Sequence, residues 1–426
     1  MPSLLSLRCR FSLPFSDVTL PEGANFPIVE LAAHKSEVRR FLRAVFGAGF
    51  KALVVADENT YGAAKEFLGD VPGERMVFPD GLAPRRAFAT QIKERVKEKS
   101  GVLAVGAGTV NDLCKAAAHD AGKPYAYLPT ALSMNGLCSS NASIIEKNGK
   151  KSSVTARPPV ALLFMPEIWK NAPPRLWKSG LADLSCYASC RFDWLLSHCL
   201  ADTPYDETLF TCLRPLLPNA PRDVADLVAA KDEALLRLAL ALCVSGATMN
   251  AAGGSMPASQ SEHLICHAFD MAKPRNLLLH GEKIAAAAAY TLALQRRFLQ
   301  KETFVAVNAG RYRRAAYRSL ALARRLSAFR PHVAFMKKTA ERKAALFPNN
   351  LPDAEEKMAR FFLAFGEEGK REHVRTMELY ASPLFSRTIR RTVLCDSAIA
   401  AAAPLLRERM TILDLCENND VASLGK

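Results

Sequence analysis

Gly101-Val102-Leu103-Ala104-Val105-Gly106-Ala107-Gly108-Thr109-Val110-Asn111-Asp112 runs from an apolar stretch through a turn of small residues into the start of a helix. The apolar stretch reads as a buried strand. Small residues in the turn let the backbone approach a phosphate closely, and the helix start offers unpaired N–H groups and a partial positive charge. The spacing is neither the full Gly-x-Gly-x-x-Gly pattern nor a P-loop, so its weight as a nucleotide signal comes from its place between strand and helix. Thr109 and Asp112 also have the spacing of a capping box, which would give both side chains a purely structural role.

Outward from this turn the same alternation continues. Upstream lie a helical stretch from Ser36 to Phe46, a strand at Lys51 to Asp57 and a helix from Ala87 to Lys99. Downstream, a helix to Ala121 leads into a strand at Tyr125 to Pro129. This order predicts a parallel sheet with right-handed crossovers. From about Pro166 the pattern becomes helical and rich in Ala and Leu, broken at Ala172-Pro173-Pro174, Pro215 to Pro221 and Phe347 to Asn350. The sequence therefore predicts a Rossmann-like α/β domain over residues 1–165 and an all-helical domain over 166–426, with the ligand site expected in the cleft between them. The stretch from Arg330 to Pro383 carries no feature tied to chemistry and reads as a surface helical insertion.

Composition narrows the class. The chain of 426 residues has 49% hydrophobic and 23% charged residues, ordinary for a globular protein of two domains. No uninterrupted apolar run reaches the roughly 18–20 residues that span a bilayer, and the longest candidate, Ile284 to Leu294, is too short. Met1 to Phe15 carries Arg8 and Arg10 and has no small-residue cleavage site, so a secretory signal is not expected. Eleven cysteines without a Cys-x-x-Cys pair read as reduced core thiols of a cytoplasmic protein. The net charge of +15 reads either as attraction for anions or as a solvated basic surface, concentrated modestly at Arg311 to Arg325 and Lys337 to Lys343. No nucleic-acid-binding module is present in the pattern.

Two further groups of residues suggest chemistry. Thr130 and Ser133, in Pro129 to Gly136, offer hydroxyls to a phosphate or ribose, or simply cap their turn, and Ser139 follows closely. Asp57, at the end of a strand, is placed to accept from an adenosine ribose, which would favour NAD over NADP, or to serve as a turn aspartate. The second group is His263, His267 and His280. The first two, one turn apart, share a helix face, and the third precedes a glycine at the start of another helix. Imidazoles in such a cluster are either metal ligands or satisfied histidines at helix ends.

Together these segments resemble the glycerol-1-phosphate dehydrogenase branch of the iron-containing alcohol dehydrogenase superfamily, which includes glycerol dehydrogenases and has dehydroquinate synthases as relatives. The resemblance runs through Gly106 to Asp112, Pro129 to Gly136, Lys150 to Pro159, Ser179 to Asp183, Pro257 to His263, His280-Gly281-Glu282 and Arg407 to Asp414. It implies NAD(P) on Asp57, the Gly106-Ala107-Gly108-Thr109-Val110 turn, Thr130, Ser133 and Ser139. It also implies one divalent metal, zinc with nickel or iron as alternatives, on Asp183, His263 and His280. His267 would contact the substrate and supply a proton. The implied reaction reduces dihydroxyacetone phosphate to sn-glycerol 1-phosphate, in a homo-oligomer, with Lys151 and Arg157 as phosphate candidates. Asn135 departs from the family, which typically has an aspartate there in contact with the substrate; asparagine keeps the size and loses the charge. Gln260 replaces a usual glycine and would narrow the pocket. The alternatives are a glycerol or polyol dehydrogenase, a dehydroquinate-synthase-like cyclase and a non-catalytic nucleotide- or metal-binding relative.

Overall fold

The computed structural model describes residues 18–147, 151–184, 186–217, 221–300, 306–381, 392–394 and 396–416. The expectation for Met1 to Phe15 lies outside them. The chain forms two compact units, Met1–Leu184 with Thr211–Gly254, and Ser185–Phe210 with Ser255–Lys426.

The first unit is built on six strands: β1 (Ile28–Leu31), β2 (Ala52–Asp57), β3 (Gly73–Phe78), β4 (Gly101–Gly106), β5 (Tyr125–Pro129) and β8 (Ala161–Phe164), with β6 (Asn141–Ile145) and β7 (Lys151–Thr155) as a separate antiparallel hairpin. The six pair in parallel in the order β1-β8-β5-β4-β2-β3. Helices α1 (Lys35–Phe46), α2 (Glu58–Leu68), α3 (Arg86–Val96) and α4 (Gly108–Ala121) connect the early strands. From β2 the chain steps outward to β3, then crosses back to β4 and continues to β5 and β8. The direction of winding therefore reverses between β2 and β4, the point where open α/β sheets bind ligands beyond their strand ends. Asp57 and Gly106 are the carboxyl-terminal residues of those two strands.

Strands β2, β4 and β5 are almost wholly buried, as expected for a parallel sheet covered on both faces. The expected elements are present with small shifts. The largest is α4, which begins at Gly108 rather than Asp112, so the glycine turn is the helix's own first turn. Strands β1, β3 and β8 and the hairpin were not foreseen. The strands end at Phe164, close to the expected boundary at 165/166, but the compact units divide elsewhere. Helix α5 (Pro174–Leu184) and the helix Asp232–Ala251 belong to the sheet's unit, packing on each other and on the loop after β5. Gly246 of that helix lies so close to the Cys138–Ser139 backbone that a Cβ would come within 2.9 Å of Ser139 N. Asp232–Ala251 is long and apolar enough to cross a membrane, with a mean hydropathy of 1.5, and 72% of that stretch is buried in protein. Among the described residues it is the helix that meets this measure, where the expected candidate was Ile284 to Leu294, and it serves as a core helix.

The second unit is helical. Its elements include α6 (Tyr187–Ala201), α7 (Ser261–Ala272), α8 (His280–Leu299), α9 (Ala309–Ala323), α10 (Val333–Ala344), α11 (Leu351–Ala381) and α12 (Ile412–Cys416). Phe192, Phe298, Phe361 and Phe365 meet edge to face or stacked at its centre, with ring centroids 4.8–5.8 Å apart. The described part of the expected insertion, residues 330–378, is therefore not a surface insertion. Within them Met336, Ala340, Ala344, Phe361 and Phe365 are buried in the same core, because α10 and α11 each turn one apolar face inward. The described cysteines whose side chains are placed, among them Cys186, Cys190 and Cys243, are buried free thiols.

Candidate active site

The nucleotide candidates gather at the carboxyl ends of β4 and β5. Ala107 is the N-cap of α4, and no side chain caps it. The expected capping box is not formed. Asp112 Oδ2 instead accepts the Ser143 N–H at 3.1 Å, and its Oδ1 lies 3.7 Å from Lys115 Nζ. The glycines are required by close packing: a Cβ on Gly106 would sit 2.6 Å from Val110 Cβ, and one on Gly108 would sit 2.2 Å from Met134 Sδ. Val110 thus packs onto its own turn. Thr130 donates its N–H to Gly106 O at 3.0 Å, joining the two strand ends. Ser133 O accepts the Ser179 hydroxyl at 3.0 Å.

Ser139 is committed locally. Its hydroxyl receives Lys115 Nζ at 3.2 Å and lies within 3.2 Å of the Gly136 and Asn141 carbonyls. Lys115 itself is fully buried and also donates to Gly136 O at 2.9 Å and Asn141 O at 3.0 Å, fixing the loop after β5 to α4. Burial lowers its pKa, with the Asp112 charge opposing. A lone lysine in Leu113-Cys114-Lys115-Ala116-Ala117 was its only sequence signal. Asp57 serves as the N-cap of α2, accepting Thr60 N–H at 2.8 Å, so its turn role is realised at the strand end where a ribose carboxylate would stand. Asn135 is buried and donates its backbone N–H to Asp183 Oδ2 at 2.8 Å, at the end of α5. Arg157 is exposed.

In the second unit α7 and α8 pack together and bring the three histidines close. The ring centroids of His263 and His280 are 5.3 Å apart, and those of His263 and His267 are 6.4 Å apart. His263 Nδ1 lies 2.8 Å from Glu262 Oε1. A carboxylate at that distance holds the ring proton on Nδ1 and leaves Nε2 as the donor to a cation, the arrangement usual around ligating histidines. Glu262 is itself buried. It accepts Ser189 Oγ at 2.9 Å, the Gln260 N–H at 2.8 Å and Cys190 Sγ at 3.3 Å. Burial pushes its pKa up, but the His263 hydrogen bond and the backbone N–H groups outweigh this and hold it below the ordinary carboxylate value. Gln260 donates Nε2 to Met256 O at 3.0 Å. His280, the first residue of α8, has Nδ1 3.7 Å from Cys266 Sγ.

Cys186, Cys190 and Glu262 also place ligand atoms within 4.8 Å of one another. Burial drives the Cys190 thiol well above its ordinary pKa, so it stays protonated and acts as a donor to Glu262. The cluster is a support for Glu262.

The segment after Leu405 supplies residues that the sequence reading left without a role. Arg407 Nη2 lies 3.1 Å from His267 Nε2, which makes that nitrogen the acceptor and puts the neutral ring's proton on Nδ1. Desolvation lowers the pKa of Arg407, and no carboxylate pairs with it among the described residues. Arg409 donates to Ser259 O and, at 2.9 Å, to Ser255 Oγ. It is pushed down to about 10 by burial and by the Arg407 charge. Two buried anchors hold this segment. Lys343 Nζ meets Asp414 Oδ1 at 2.5 Å and Pro404 O at 3.0 Å. Asp193, pushed up to about 7 by burial, accepts Ile412 N–H at 2.9 Å, Ser261 N–H at 3.1 Å and Gln295 Nε2 at 3.1 Å. It thereby ties α7 to α12.

The profile of iron-containing alcohol dehydrogenases matches residues 35–173. A glycerol-1-phosphate dehydrogenase [NAD(P)+] of Halalkalibacterium halodurans is 30% identical over 267 residues, covering 59% of this chain and 67% of the relative. One from Bacillus velezensis is 30% identical over 276 residues, covering 62% and 69%. One from Pyrococcus furiosus is 36% identical over 181 residues, covering 42% and 52%. Among solved structures, a glycerol dehydrogenase from Schizosaccharomyces pombe aligns with a TM-score of 0.53 and 15% identity, covering 85% of this chain and 94% of that one, a likeness of fold. The 30% identity over 67% and 69% of the first two relatives, on a parallel sheet followed by helices, places the chain in the glycerol-1-phosphate dehydrogenase family of NAD(P)-dependent oxidoreductases.

Proposed function

We propose that the chain reduces dihydroxyacetone phosphate to sn-glycerol 1-phosphate, the reaction that the family resemblance implies, with one divalent cation on His263, His280 and Asp183. The observation that carries this reading is the grouping of His263, His280, His267 and Arg407. It combines two imidazoles for a cation, one for a proton and a guanidinium for an anion. The Glu262–His263 contact supports ligation through His263 Nε2. Asp183 is the carboxylate that the family pattern adds to this set. When bound, the cation supplies polarisation of the substrate carbonyl and the nicotinamide supplies hydride.

The chain's own residues do the rest. Arg407 receives the substrate phosphate and orients it, in place of the sequence candidates Lys151 and Arg157. His267 donates from Nδ1–H to the substrate oxygen, and the proton it passes is replaced at Nε2 from solvent once Arg407 turns from that nitrogen to the phosphate. Asn135 contacts the substrate without setting a second negative charge beside Asp183, whose Oδ2 its N–H already holds. The N–H groups opening α4 receive the dinucleotide phosphates, with Asp57, Thr130 and Ser133 around them. Imidazole and carboxylate donors suit zinc, nickel or iron, and we assign zinc. The protein acts as a homo-oligomer, and its buried free thiols fit a reducing, cytoplasmic setting.

The test is oxidation of NADH and of NADPH by the purified protein with dihydroxyacetone phosphate, in the presence of zinc, nickel or iron in turn. Turnover that a chelator abolishes and one of these metals restores is expected. No turnover with any of them refutes the reading, and equal turnover of unphosphorylated dihydroxyacetone replaces it with a polyol dehydrogenase.

A further inference from the structure

Residues 309–346 contain eleven arginines and lysines and a single acid, Glu341, a net charge of +10 (11 − 1) out of +15 for the whole chain. The structure displays most of this charge on one helical hairpin. On α9 and α10, Tyr312, Ala316, Leu320, Met336, Ala340 and Ala344 turn inward to the core. Arg313, Arg314, Arg318, Arg324, Arg325, Arg330, Lys337, Lys338 and Arg342 are all exposed. The two helices hold one another through Glu341, which accepts Arg313 Nε at 3.0 Å and Tyr317 Oη at 2.8 Å, while Lys337 Nζ lies 5.9 Å from the Tyr317 ring. Arg313, Tyr317 and Lys337 therefore share a face, with Arg314 and Arg318 lining a shallow depression beside them. Arg342 is paired with Glu408. Arg314, Arg324, Arg325, Arg330, Lys337 and Lys338 have no carboxylate in ion-pair contact among the described residues.

The same hairpin exposes apolar side chains: Phe335 is 45% exposed, Leu346, just past α10, 39%, and Tyr317 38%. Basic side chains around exposed aromatic and aliphatic ones are the composition of surfaces that lie at the lipid headgroup boundary. A nucleic acid would use the charge, but Tyr317 is tied to Glu341 through its hydroxyl and Leu346 offers no face on which a base can stack. We propose that the outer face of α9 and α10 docks the protein on an anionic lipid surface, with the arginines and lysines on the headgroups and Phe335 at the acyl boundary. This is independent of the reaction assigned above.

The test is sedimentation of the full-length protein with vesicles of phosphatidylglycerol and phosphatidylcholine, compared with phosphatidylcholine alone. Binding only to the anionic vesicles, weakening with salt, is expected. Each basic residue near such a surface strengthens binding about fivefold. The triple variant Arg314→Gln, Lys337→Gln, Lys338→Gln should thus lose roughly 100-fold in partitioning, with unchanged circular dichroism and dehydrogenase rate. Phe335→Ser, which leaves the charge alone, should weaken vesicle binding further. No binding by the wild type, equal binding to neutral vesicles, or full binding by the triple variant overturns the proposal. So does tighter binding to a transfer RNA than to the anionic vesicles at equal salt.

Discussion

Replacing Arg407 by glutamine should separate recognition of the substrate's phosphate from stability. The guanidinium touches His267 Nε2 at 3.1 Å, and burial disfavours its charge, with no carboxylate among the described residues in ion-pair contact to offset that cost. If it receives the phosphate, removing it deletes a charge-assisted hydrogen bond of about 1.5–3 kcal/mol. That corresponds to a rise in KM for dihydroxyacetone phosphate of about 10- to 150-fold. Any effect transmitted through His267 falls equally on unphosphorylated dihydroxyacetone, so the ratio of the two KM changes isolates the phosphate. Stability should move the other way. A largely desolvated guanidinium whose one described partner is a neutral imidazole burdens the fold, and Arg407→Gln should leave Tm unchanged or raise it by about 2–3 °C. Arg409→Gln is the contrast: Arg409 bonds Ser259 O and Ser255 Oγ, so its loss strands two partners and should lower Tm. Steady-state kinetics on both substrates and calorimetry on both variants make the measurement. A KM for dihydroxyacetone phosphate that changes less than about threefold relative to dihydroxyacetone would refute the phosphate role of Arg407.

Glu262→Gln should weaken metal binding about 10- to 100-fold, because it removes the carboxylate that fixes His263 Nδ1; competition with a chelating dye reads this, and unchanged affinity refutes the ligand assignment. Acid should destabilise the helical unit through His373, whose pKa burial depresses from 6.5 to about 4. The unfolded chain binds that proton at higher pH than the folded one, so the stabilisation is complete above about 6.5 and is lost as pH falls through the window to about 4, on the order of 3 kcal/mol in all. His373→Gln, which keeps a donor for Leu292 O, should flatten urea-measured stability across that window; an unchanged slope refutes it. Gly108→Ala should weaken NADH binding and cost about 1–2 kcal/mol of stability, since the new Cβ would meet Met134 Sδ at 2.2 Å. Adding Met134→Ala should restore the stability, and no recovery in thermal melts would locate the strain elsewhere.

The parts of the site that the sequence exposed are those encoded locally. A strand, two glycines and a helix start occur within a dozen residues, and His263 and His267 share a face because they are one turn apart. Buried charges are a different kind of information. Lys115 and Lys343 look like ordinary lysines in helical stretches, and only the fold makes them fully buried. The partners of Lys343, at Pro404 and Asp414, lie more than sixty residues away, too far for any window of sequence to connect. The same holds for residues 330–383, whose apolar positions were visible but whose target core was not. Asp193 and Lys343 hold the segment bearing Arg407 and Arg409 at two points, with Asp193 also bonded to the first residue of the histidine helix. Arg407, whose charge is disfavoured by desolvation, is thus held in place by a segment that is anchored on both sides of it. Where a desolvated cation has no carboxylate partner among the described residues and its neighbours are so firmly anchored, the anion that would balance it is most economically the ligand.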